Sequence, residues 1–213
     1  MKRRFNMPVT AALTLICVGL FTLASMAGET ATGSISGKIS VRGVRSPENV
    51  LVYVVKAPGK FPPPKTQAKL DQFKITFVPF LLPIVKGTTV SFENSDPILH
   101  NVMWLASKNG AYSANNLGTW GKGHSVKVKF DKEGELTILC NIHPEMEAHI
   151  VVLQNPFFAV VGKDGAYEIK GVPAGKYTVK TWYANTRRLK SKSADVTVTA
   201  GKATTLDFSL SRH

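Results

Sequence analysis

The residues best suited to chemistry sit in one short stretch, Cys140-Asn141-Ile142-His143-Pro144-Glu145-Met146, where a thiol, an imidazole and a thioether recur every three residues. A tight loop can aim all three side chains at one point. A soft thiolate, imidazole nitrogens and a weak thioether form the donor set that suits copper in two oxidation states, because soft sulfur donors favour the reduced ion. Such a site wants a second imidazole, and the loop holds only one. Elsewhere the chain offers His100, His124, His149 and His213. His100 is the strongest candidate: it follows a strand-like run and the turn Asn94-Ser95-Asp96-Pro97, and Asn101 comes directly after it. His213 lies at a terminus, where chains fray. His149 alternates with Ala148 and Ile150, so a two-residue period turns it to the opposite face, where an exposed surface imidazole is expected. His124 follows Gly121-Lys122-Gly123 in a turn; a surface position is expected there too, with a role as an extra ligand left open.

The thiol is unusual for its setting. Lys2, Arg3 and Arg4 precede an apolar run over 9–23 and the small-residue site Ser25-Met26-Ala27. That is the layout of an export signal, cleaved after Ala27. The run is shorter than the roughly 20 residues a bilayer span wants, so no stable span is expected once the signal is removed. Ile16 ahead of Cys17 argues against lipidation. With Cys17 gone, Cys140 would be alone in an oxidising compartment, the periplasm or another secreted setting, with no partner for a disulfide. The formal charge of +13 stays strongly positive without the signal. It can steer anionic partners, and no groove-reading nucleic-acid module accompanies it.

Behind these residues stands an all-β scaffold. Short runs alternating apolar and polar residues, punctuated by Gly, Pro and Asn, predict strands over 34–41, 50–55, 73–77, 88–92, 102–105, 125–130, 134–139 and 148–153. A second group falls at 157–161, 166–169, 175–183, 194–199 and 203–210. Breaks at 61–69, which contains Pro62-Pro63-Pro64, and at Gln154-Asn155-Pro156 set off a middle unit over 66–153.

The loop Cys-x-x-His-Pro-x-Met, together with His100-Asn101-Val102 upstream, resembles the small blue-copper proteins, the cupredoxins of the amicyanin and plastocyanin kind. Phe77-x-Pro79, Gly87, Val90-Ser91-Phe92-Glu93-Asn94 and Asp96 look like that family's approach to its first histidine. The resemblance covers about 80 residues of the middle unit. It implies a Greek-key β-sandwich with one mononuclear type 1 copper site, in which His100, Cys140 and His143 are trigonal ligands and Met146 is the long axial one. Asn101 is then the residue expected to tie the His100 loop to the Cys140 loop.

Residues 156–211 carry different signals: Asp164-Gly165-Ala166-Tyr167-Glu168-Ile169, then Val172-Pro173-Ala174-Gly175-Lys176-Tyr177. These resemble the carboxypeptidase-regulatory-like, transthyretin-like β-sandwiches. That family's leading strands are matched far upstream, by Gly33-Ser34-Ile35-Ser36-Gly37 and Asn49-Val50-Leu51-Val52. The expectation is therefore a second sandwich built from 33–56 with 156–211, and the copper unit inserted into it. The rival layout gives 33–56 to the copper sandwich. Trp182, Tyr183, Arg187 and Arg188 could form a docking or glycan-binding surface, or simply core and solvated loop.

The resemblance implies a one-electron carrier with redox protein partners. No catalysis is expected, since an oxidase or reductase needs a second metal site and more histidines than the chain can spare. Glu145 and Glu147 flank Met146 and are expected as solvated charge. Copper delivery, or an envelope or glycan partner held by the second sandwich, are the alternatives.

Overall fold

The computed structural model describes residue 1 and residues 31–108, 111–185 and 188–211. Apart from Met1, the expected signal over 1–27, with Cys17, lies outside the described residues, as do Arg187 and His213. The described residues form seventeen strands and no helix. In chain order these begin with β1 (Thr32–Arg42) and β2 (Leu51–Val54). The middle of the chain supplies β3 (Ala68–Gln72), β4 (Phe77–Val78), β5 (Leu81–Val85), β6 (Thr88–Asn94), β7 (His100–Lys108), β8 (Ala111–Trp120), β9 (Ser125–Phe130), β10 (Gly134–Leu139) and β11 (Glu147–Leu153). The chain closes with β12 (Phe158–Val160), β13 (Ala166–Pro173), β14 (Gly175–Trp182), β15 (Ser193–Val198), β16 (Ala203–Thr205) and β17 (Phe208–Ser211).

Pairing sorts the strands into four sheets. The middle strands make one sheet in the order β5-β11-β10-β7-β8 and another in the order β4-β3-β6-β9. Parallel pairs β3–β6 and β5–β11 require crossing connections rather than hairpins. Between these sheets lies a core of Leu70, Phe92, Val102, Ile138, Ile150 and their neighbours. The terminal strands make the sheets β13-β1-β16, with β17 also on β1, and β12-β2-β14-β15. Their separate core contains Ile35, Ile39, Val52, Ile169, Val179 and Leu210. Strands from both ends of the chain thus share two sheets while the middle strands fill the other two.

β1 shows how local chemistry sets this layout. Its first half pairs with β16 and its second half with β17, both parallel. The switch falls at Gly37, where a Cβ would run into the Leu206 carbonyl. Lys38 N donates to Asp207 Oδ1 at 2.7 Å across the same break. Only glycine lets the crossing chain come so close.

Several expectations need correction. Residues 73–77 are mostly turn between β3 and β4, with Lys74 and Ile75 both at φ 54°. Residues 203–210 are two strands, β16 and β17, because the chain moves along β1 at 206–207. β3, β5 and β8 were not foreseen: β3 begins inside the Pro-rich break expected over 61–69, Pro83 interrupts β5, and Ala, Asn and Gly dilute the apolar alternation of β8.

Candidate metal centre

Cys140 follows β10 and Met146 precedes β11, two strands paired directly through Leu139 and Glu147. The seven intervening residues must therefore turn back on themselves within one strand spacing. Pro144 helps: its fixed φ suits the second position of a turn in which Met146 N donates to His143 O at 3.0 Å. The turn brings His143 back over Cys140.

The other imidazole arrives from the opposite side. Asn94 closes β6 with an Asx turn, its Oδ1 accepting from Asp96 N at 2.8 Å while its Nδ2 donates to the carbonyls of Ile98 and Trp120. This loop delivers His100 to the first position of β7, beside the end of β10. Cys140 Sγ and one nitrogen each from His100 and His143 lie within 4.8 Å of one another. His100 is wholly buried, Cys140 nearly so, and His143 reaches partway to solvent. His100 Nδ1 and His143 Nδ1 approach to 3.0 Å, and Cys140 Sγ stands 3.8 Å from His143 Nδ1. Two ring nitrogens so close demand a proton or a cation between them. Met146 is 1% exposed, within the same core.

Asp96 sets the tautomer of His100. Its carboxylate accepts from His100 Nε2 at 2.8 Å, from Lys74 N at 2.6 Å and from Ile75 N at 2.9 Å. Burial by itself would raise the Asp96 pKa, but the amides of Ile75 and Lys74 and the His100 ring hold the carboxyl below its ordinary range. An ionised Asp96 keeps the proton on Nε2 and leaves the Nδ1 lone pair turned into the cluster, toward His143 Nδ1. Sequence reading passed over this role, treating Asp96 as a turn residue. The signal available was its place four residues before His100.

Asn101 has the tying role expected of it. Its amide N donates to Cys140 Sγ at 3.4 Å, and its side-chain oxygen accepts from Asn141 N at 3.3 Å. Its Nδ2 donates to Asn116 Oδ1 and Gly118 O, both at 2.8 Å, fixing the side chain to β8. Outside the cluster, His124, Glu145 and Glu147 are exposed. His149 is not the surface imidazole that was expected, being only 4% exposed. Alternation does turn it away from Ala148 and Ile150, but the terminal strands cover that second face. Trp182, a candidate for a docking surface, is likewise buried, against Leu51, Leu81, Val151 and Leu153.

Residues 64–153 match the family model for copper binding proteins of the plastocyanin/azurin family. The middle of the chain is cupredoxin-like. Residues 151–206 match a second family model, polysaccharide lyase family 4, domain II. No curated protein matches the chain. Similar solved structures include a copper-containing nitrite reductase from Thermus scotoductus SA-01, at 27% identity over 46% of this chain with a TM-score of 0.37. This chain spans only 25% of that reductase. A purple cupredoxin from Nitrosopumilus maritimus is 24% identical over 40% of this chain and 99% of its own, with a TM-score of 0.35. A reduced Cu(I) amicyanin variant is 22% identical over 47% of this chain and 97% of its own, with a TM-score of 0.38. The cupredoxin-like family match and the His-Cys-His cluster together support copper binding. No helix among the described residues is long and apolar enough to cross a membrane.

Proposed function

We propose that the protein is an exported one-electron carrier that holds a single type 1 copper through His100, Cys140, His143 and Met146, and that it is not an enzyme. The observation that carries this reading is the convergence of two imidazoles and a buried thiol in a protein-fixed cluster. Bound there, copper would supply a one-electron redox centre. Rigid ligands limit the rearrangement that accompanies electron transfer, and the Asn101 amide on the sulfur tunes the potential. The partly exposed His143 is the natural exit for the electron, and redox partners would dock around it. Ile98, Leu99 and Ile142, which are 41%, 58% and 45% exposed, form the apolar rim such docking needs.

In the same reading, the signal is cleaved after Ala27 and the mature chain resides in the periplasm or is otherwise secreted. The copper domain, 66–153, is inserted into a carboxypeptidase-regulatory-like sandwich of 33–56 and 156–211. The shared sheets of β1 and β2 with the C-terminal strands support that layout. A glycan or envelope partner for the second sandwich is favoured by its match over 151–206 and by an open groove lined by Arg45, Ser46, Glu48, Asn49, Tyr183 and Arg188.

The test is the visible spectrum of the purified protein after adding copper(II), with Cys140→Ser as control. An intense band near roughly 600 nm that disappears on reduction and in the variant is the expected result. A weakly absorbing protein would sink the type 1 assignment. Glycan binding that survives Cys140→Ser would assign that activity to the second sandwich alone.

A further inference from the structure

Apart from His100, His149 is the one histidine buried among the described residues. It lies on β11 in the seam between the cupredoxin-like sandwich and the terminal one. Its ring sits edge-on between Phe80, with centroids 5.1 Å apart, and Trp182 of β14, at 5.4 Å. The surrounding seam is apolar: Leu81, Val151 and Leu153 on one side, Leu51 and Trp182 on the other. Polar support is thin. Thr137 Oγ1 is 3.4 Å from Nδ1, and Glu147 Oε1 is 3.2 Å from Nε2 but misaligned for a hydrogen bond.

We propose that His149 is a proton-operated latch, which when neutral lets β11 and Trp182 close the seam and when protonated opens it. Charging the ring places a cation among apolar and aromatic groups, with only the long Thr137 contact at Nδ1 and no aligned acceptor at Nε2, and the ring can recover its solvation only by leaving. The charged and titratable groups facing it are Glu147 on its own strand, Glu135 on β10 and, across the seam, the phenol of Tyr53, which lies within the field of Glu135. Burial lowers the His149 pKa, and the two glutamates only partly offset it. Glu147 is half-exposed, so solvent screens its attraction. The closed seam is therefore fully favoured above the ordinary histidine range, near about pH 6.5, and weakens as pH falls below it.

The test is amide hydrogen exchange of the intact protein at pH 7.5 and 5.5, corrected for the intrinsic pH dependence of exchange. Wild type should lose protection in β11 and the end of β14 by up to about tenfold per pH unit once the closed form lags in protonation. His149→Phe, which keeps a neutral ring in the seam, should hold that protection at both pH values. His149→Gln should do the same and serves if the larger ring disturbs folding. Equal wild-type protection at the two pH values, or the same loss in both variants, would overturn the latch. Simultaneous loss in β6 and β13, away from the seam, would mean global unfolding and would overturn it too.

Discussion

Replacing Asp96 with alanine removes the acceptor for three donors at once. Hydrogen bonds to a charged acceptor contribute about 1.5–3 kcal/mol each. The bonds from Lys74 N and Ile75 N are only part-buried and belong at the low end, whereas that from His100 Nε2 is buried. Together they come to about 4–6 kcal/mol. Part of this is recovered, because the turn no longer has to hold Ile75, a β-branched residue, at φ 54°. Releasing a left-handed conformation returns about 1–2 kcal/mol. The net loss expected in copper-free Asp96→Ala is about 2–5 kcal/mol. With a slope of about 2 kcal/mol per molar urea, the unfolding midpoint should fall by roughly 1–2.5 M. Copper affinity should fall about 10–100-fold, since His100 loses the partner that fixes its tautomer. Asp96→Asn preserves shape but replaces one acceptor by a donor, so it should recover stability only in part. A midpoint shift below roughly 0.5 M together with unchanged copper affinity would refute the account: water would then serve the three donors as well as Asp96 does.

Two further predictions concern the terminal sandwich. Gly37→Ala forces a methyl onto the Leu206 carbonyl where β1 passes from β16 to β17, so a loss of about 1–3 kcal/mol is expected. Thermal unfolding should move down by roughly 2–12 °C, and an unchanged midpoint would mean that the strands can separate freely there. Tyr167 donates its phenol proton to the Leu206 carbonyl, and burial, then the charge of Asp207, push its pKa well above the ordinary value. The unfolded phenol ionises first, so stability should decline as pH rises above about 10. Tyr167→Phe should lose about 1 kcal/mol at neutral pH and flatten that alkaline decline; a denaturation series showing the same decline in both proteins would contradict this.

The sequence by itself determined the all-β class and the copper-suited donors, because both rest on short-range rules. Strand alternation needs only neighbouring residues, and Cys140, His143 and Met146 are joined by seven residues whose ends are tied by one strand pair. His100 could be chosen from the sequence because a turn and a strand start mark its position. Tertiary structure decided what depends on which elements meet. Asp96 holds His100 only because the β3–β4 turn folds over it with two left-handed residues, a conformation no propensity predicts for Lys and Ile. His149 faces away from the copper core as alternation requires, yet it is buried, because alternation fixes which face a side chain occupies and says nothing about what covers that face. In this protein the cover is Trp182, brought against His149 by strands from distant parts of the chain.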